Sequence, residues 1–138
     1  MGTLMSVTEV SKVHEHGEMD IRTKGEKVFR VLEVIKSVPD KLYSGAIVSY
    51  PDNNDRGNME LMRKVMKGVK ELHKLLEISK DFKKPEEEMN SYEIAHHLGF
   101  TLAEEYELLQ LMDEKQRQEY VKRHLTKVLP LVAEMEEL

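Results

Sequence analysis

The order of hydrophobic periods along the chain predicts an α+β fold, an antiparallel β meander followed by a bundle of about four helices. Three observations carry this reading. Period-two and β-branched runs fill the first 50 residues, helical periods fill the chain from residue 59 onward, and the turn-rich segment PDNNDRGN separates them. The expected division is a β-rich part at 1–50, a hinge at 51–58 and a helical subdomain at 59–138.

In the β half, residues 3–13 (TLMSVTEVSKV) are β-prone, though their alternation is imperfect. With Met19–Thr23 they form a hairpin in which Gly17 supplies the positive-φ position. Residues 20–24 precede a turn at Lys24-Gly25-Glu26, and Val28–Ile35 is a strand apolar on both faces that calls for cover on both sides. After Pro39-Asp40, Leu42–Tyr50 alternates with Leu42, Ser44, Ala46, Val48 and Tyr50 on one face. About four strands are expected.

Asn58 opens the first helix, whose stripe Met62, Val65, Val69, Leu72 and Leu76 is widened by Leu61, Met66 and Leu75. Residues 80–89 are a charged connector broken by Pro85. Asn90 with Glu93 opens a short helix through Leu98 that Gly99 ends. Thr101 with Glu104 opens another, to about Met112, with Leu102, Tyr106 and Leu109 inward. Asp113 with Gln116 opens the last, striped by Val121, Leu125, Val128, Val132 and Met135. Pro130 lies within that stripe, where a kink is expected.

Composition narrows the function classes. At 138 residues the chain fits one domain, or one compact domain with an appended helical part, and a hydrophobic fraction of 40% with a charged fraction of 34% describes a soluble globular protein rich in surface helix. No run approaches the ~18 apolar residues of a membrane span, and MGTLMSVTEV lacks the basic start and apolar core of a secretory signal. The absence of cysteine excludes disulfides, thiolate metal sites and cysteine nucleophiles, and fits a cytoplasmic setting. A formal charge of −5 argues against a dedicated nucleic-acid binder.

Little in the chain reads as catalytic. His14-Glu15-His16 is a His-x-His pair that would need a further ligand to hold a metal, and at a turn tip it reads as solvated polar surface. His96-His97 are adjacent on a short helix, about 100° apart, so capping or packing is the better reading. No G-x-S-x-G, phosphate-cradling glycine loop or His-Glu-x-x-His occurs. The methionines of the helical half read as core fillers. The lysines between 64 and 84, Lys80 included, lie among acids and read as helix solvation.

Two sets of residues nonetheless resemble a known family. They are Gly2-Thr3, Val7-Thr8-Glu9-Val10, then Gly17, Asp20-Ile21, Gly25 and Phe29-Arg30-Val31-Leu32-Glu33 in the β half. In the helical half they are Ser91-Tyr92, Ala95-His96, Leu98-Gly99, Glu104-Glu105-Tyr106-Glu107-Leu108-Leu109 and Glu114-Lys115-Gln116-Arg117-Gln118-Glu119. The pattern is similar to the N-terminal substrate-binding domain of Lon-type ATP-dependent proteases, and most of all to stand-alone bacterial versions of it. Nearly the whole chain takes part.

The resemblance implies a non-enzymatic module that recognises unfolded or degron-bearing polypeptides in the cytoplasm, with a protease or ATPase as a further partner. It also implies that the chain corresponds to the C-terminal portion of the family domain. Roughly 60–80 preceding residues, a domain-scale quantity, would complete a PUA-like barrel, so a partial barrel with open edges prone to self-association is expected. The Lon ATPase and Ser-Lys peptidase have no counterpart here, and no cofactor or metal is expected. Phe29, Tyr43 and Tyr50, the large aromatics of the β half, are the candidate peptide contacts. Rival readings are an RNA-binding PUA-like module, or a small metal-dependent protein using His14 and His16.

Overall fold

The computed structural model describes residues 1–79 and 82–137, and it opens with a long antiparallel hairpin. Strand β1 (Gly2–Val13) pairs with β2 (Met19–Ile35), and β2 pairs in turn with β3 (Gly45–Ser49), giving the order β1-β2-β3. Gly17 takes φ +87 at the first turn and donates its N–H to the His14 carbonyl at 3.0 Å. The sheet is antiparallel throughout and does not close into a barrel among the described residues.

Three strands form where about four are expected, because Lys24-Gly25-Glu26 makes no turn. Gly25 stays extended and pairs with Met5, and β2 runs unbroken through it. The extra residue, Glu26, is absorbed as a bulge between the Met5–Gly25 and Leu4–Lys27 pairs, its carboxylate accepting from Ser6 Oγ at 2.7 Å. Pairing along all of β1 outweighs a local turn signal. Strand β3 is shorter than Leu42–Tyr50 because Asp40, at φ +59, turns the chain and pairing begins only at Gly45 opposite Ile35. Val31, Leu32 and Val34 remain exposed, so the cover expected on both faces of that stretch is not supplied.

The helices are α1 (Met59–Leu75), α2 (Ser91–Ala95), α3 (Leu102–Gln110) and α4 (Glu114–Glu136), with a single 3₁₀ turn at Glu86–Glu88. Their starts follow the capping chemistry of the sequence. Asn58 accepts from Leu61 N–H, Asn90/Glu93 and Thr101/Glu104 form reciprocal capping boxes, and Asp113 accepts from Lys115 and Gln116 N–H. Gly99, at φ +67, follows the short turn after α2. Helix α4 continues through Pro130. No helix among the described residues is long and apolar enough to cross a membrane. Lys80 and Asp81 of the expected connector, and Leu138, lie outside the described residues.

The chain divides into two compact units, Met1–Asp52 and Asn53–Leu138. All the fully buried apolar residues belong to the second. Met62, Val65, Met66, Val69 and Leu72 of α1 pack with Ile94, Leu98, Leu108, Val121 and Leu125. Leu76, beyond the end of α1, and Met135 are exposed, so the two longest stripes each lose their last member. The inward side of α3 is also rotated from the expected one: Leu102 is 84% and Tyr106 46% exposed, while Leu108 is buried. Two carboxylates of its first turn face histidines of α4 and of the α2 end. Glu104 caps Thr101 N–H and reaches His124 Nδ1 at 3.3 Å, and Glu105 reaches His96 Nδ1 at 3.3 Å.

At the centre of the helical unit lies an ion pair with almost no solvent exposure. Arg117 Nε donates to Glu114 Oε2 at 3.0 Å, and Glu114 Oε1 accepts from both Ser91 N–H and Ser91 Oγ. The arginine's remaining donors reach Asn53 Oδ1, the Leu111 carbonyl and the Asn54 carbonyl, and its guanidinium lies 4.3 Å from the Tyr92 ring centroid. Asn53–Asn58 is thereby fastened to the helices. A Cβ on Gly57 would come 2.3 Å from the Gln118 amide nitrogen, so the Gln118 side chain, whose Oε1 accepts from Asn58 N–H, would have to shift.

Two outcomes follow for stability. Arg117→Ala strands a buried carboxylate and should cost about 3–5 kcal/mol in urea unfolding followed by helical circular dichroism. An equal loss in Arg117→Lys would show that the fork geometry, rather than the charge, is what matters. Burial, with the 2.6 Å bond to Glu107, pushes the Tyr120 hydroxyl from 10.0 up to about 12. The folded form therefore keeps this proton to higher pH than the unfolded form. Its stabilising contribution is complete below pH 10 and lost as pH rises through about 12. Tyr120→Phe should remove that component of the alkaline unfolding profile.

Candidate functional site

The β unit has no fully buried residue among those described, and its exposure is sorted by face. The space above Gly25 is occupied by the Thr3 methyl and Met5 sulfur, which places these three on one side of the hairpin. Alternation along β2 then puts Thr23, Ile21 and Met19 on that side, with their partners Val7, Val10 and Val13. Met5, Val7, Val10, Val13, Met19 and Ile21 are all between 48% and 65% exposed. Apart from Leu4, opposite Lys27, the other side of the ribbon is polar: Glu9 pairs with Arg22 at 3.3 Å, Lys12 stands opposite Asp20, and Ser6 stands opposite Lys24. Six exposed aliphatic side chains in a row exceed what scattered surface residues amount to.

These six residues are what sequence reasoning missed. The apolar positions of β1 are spaced 5, 7, 10, 13 because Thr8 and Ser11 are extra residues in the ladder, bonded by their hydroxyls to the Arg22 and Asp20 carbonyls at 3.2 and 3.1 Å. The bulges hide a period of two behind apparent irregularity. Allowing one skipped residue per bulge would have revealed the apolar face.

Of the three aromatic candidates, the structure brings two together. Phe29 is half-buried, lies across Gly2, and meets the Tyr50 ring edge-to-face at 6.4 Å. A Cβ on Gly2 would come within 2.6 Å of the phenyl ring, so this close approach requires glycine. Tyr50 is 51% exposed, with Lys27 Nζ 5.7 Å from its centroid. Tyr43 sits in the loop between β2 and β3, 64% exposed, and no ring contact joins it to the other two. Among the described residues, the outer edges of β1 and β3 pair with no further strand.

The histidines are spread over separate small contacts. His14 Nε2 lies 3.0 Å from Asp20 Oδ1, and His73 Nε2 lies 2.9 Å from the His97 carbonyl oxygen. Among the described residues, no three His, Cys, Asp or Glu side chains gather as a metal site would require.

A family model for the ATP-dependent protease La (LON) substrate-binding domain matches residues 1–127. The chain belongs to that family. The match takes in the whole β unit and the helical unit as far as Lys127 within α4. No curated protein matches the chain. The Lon substrate-binding domain family supports a substrate-recognition module, and an exposed apolar face with open strand edges is physically suited to that task.

The apolar face is testable separately from any substrate. Val10→Lys with Ile21→Glu replaces an exposed cross-strand pair by an ion pair, and should change stability by no more than about 0.5 kcal/mol. Binding of a hydrophobic dye and self-association by light scattering should both fall. Unchanged dye binding would move the accessible apolar surface elsewhere.

Proposed function

We propose that this protein is a non-catalytic recognition module for unfolded or degron-bearing polypeptides, working in the cytoplasm beside a protease or ATPase that receives its clients. The observation that carries this is the conjunction of family membership with the exposed apolar face of β1 and β2. In this reading the β unit is part of a PUA-like domain. An extended client segment adds to a free strand edge, main-chain bonds giving affinity and side-chain contacts giving selectivity. Phe29 and Tyr50 offer one aromatic contact beside a lysine, and Tyr43 offers a second on its loop. Solvent-exposed tyrosines suit such contacts because they present large area at low entropic cost.

Binding of a chemically denatured, fluorescently labelled model protein tests the reading. Tyr43→Ala should weaken it about fivefold or more, the scale of one contributing interface residue, with the circular dichroism unchanged. Undiminished affinity would remove Tyr43 from the contact surface, and no binding by the unmodified chain would defeat the recognition reading itself. Retention of RNA that falls steeply with salt would favour nucleic acid instead.

A further inference from the structure

The sheet has two outer edges, and the chain treats them differently. β1 carries bulges and charges, both of which hinder pairing with a further strand. Thr8 and Ser11 are extra residues that break the even spacing of its amides and carbonyls, and their hydroxyls donate back to the Arg22 and Asp20 carbonyls. Glu9 and Lys12 add charge of both signs. β3 has none of these guards. Each of its five residues has its own partner on β2, and the one extra residue of that pairing, Leu32, lies on β2. The strand, GAIVS, contains neither a charge nor a proline.

We infer that β3 is the edge to which a client adds, and that the segment it selects is short, extended and apolar at alternate positions. The inference rests on the recognition reading above and adds the edge and the class of segment. A row of main-chain donors and acceptors is met by another extended backbone. Side chains then set the preference. Directly opposed residues share a face of the sheet, so Ala46 lies with Val34 and Val48 with Val31. Tyr50, next in the alternation, meets Phe29. Val31, Val34 and Tyr50 are exposed, which makes this face apolar beside the free edge. On the other face Ile47 stands opposite Glu33 and Ser49 opposite Arg30, a mixed surface. An added strand sets every second side chain beside Ala46, Val48 and Tyr50, where apolar residues fit. The residues between lie beside Ile47 and Ser49, where polar ones are tolerated.

Such alternation is the pattern of a half-buried β-strand. In a folded protein that strand is covered by its neighbours, and unfolding frees its backbone and its apolar side together. The β3 edge therefore favours strand-forming segments of unfolded polypeptides over amphipathic helices, whose apolar residues recur every three or four positions. The shortness of β3 limits the paired part of the client to about five residues. None of the residues of β3 belongs to the aliphatic row of β1 and β2, so the two surfaces are separable by substitution.

Fluorescence anisotropy of the full chain with a labelled peptide, Lys-Thr-Val-Thr-Val-Thr-Lys, tests the assignment. Its isomer Lys-Val-Thr-Thr-Val-Thr-Lys, with the valines three apart, should bind less tightly. N-methylation of alternate peptide amides should weaken binding about tenfold or more in one register and leave it unchanged in the other, the signature of strand addition. The chain contains no cysteine, so single introduced thiols report contacts without background. In a glutathione redox buffer, Ala46→Cys should trap a cysteine placed at every second peptide position, and Lys12→Cys on β1 should trap none. Both positions are exposed, so circular dichroism should show both variants folded. Equal trapping at Lys12→Cys, equal binding of the isomer or indifference to both N-methyl registers would overturn the β3 assignment, and client recognition would stand if a denatured protein still bound. An Ala46→Cys homodimer formed in preference to the peptide adduct would give the edge to a second copy instead. Binding of neither peptide nor denatured protein would defeat both readings.

Discussion

The helical unit depends on one desolvated ion pair. Glu114 and Arg117 sit a single turn apart on α4, yet both are removed from water, which is costly unless every donor and acceptor is met. Here they are met. One carboxylate oxygen is held by Ser91 and the other by the guanidinium, whose outer nitrogens take carbonyl and amide oxygens from Asn53, Asn54 and Leu111. The pair therefore helps to join the start of α4, the start of α2 and the irregular stretch leading into α1, beside the two backbone bonds of the Asn54–Asp113 bridge. A packing that buried the pair without these partners would leave charge unmet, which is how the pair disfavours such arrangements.

The two units solve the burial problem differently. The helical unit encloses a core of methionine, valine, leucine and isoleucine drawn from all four helices. The β unit leaves one face of its long hairpin aliphatic and exposed, and two strand edges unpaired by the sheet. A two-stranded ribbon gains little stability by itself in water, so a partner that covers the face would stabilise the ribbon as it binds. Exposure of this kind is a cost for a free protein and an asset for a recognition domain, which is the role its family carries.

By itself the sequence determined the class of fold, the order of elements and the start of every helix, because caps and periods act between residues a few positions apart. Asn58, Asn90, Thr101 and Asp113 each bond to an amide two or three residues on. Gly17 likewise sets its own turn. What only the tertiary structure decided depends on partners distant in the chain. Gly25 reads locally as a turn, and it becomes strand because Met5, twenty residues earlier, pairs with it. The aliphatic face is invisible until the bulges at Thr8 and Ser11 are known, since each shifts the alternation by one residue. Arg117 has only polar neighbours in sequence and reads as helix surface. Its burial follows from Asn53, Asn54, Ser91 and Tyr92, brought together around it by the folding of distant segments. The aromatic pair is of the same kind: Phe29 and Tyr50 lie 21 positions apart, and pairing of β2 with β3 makes them neighbours.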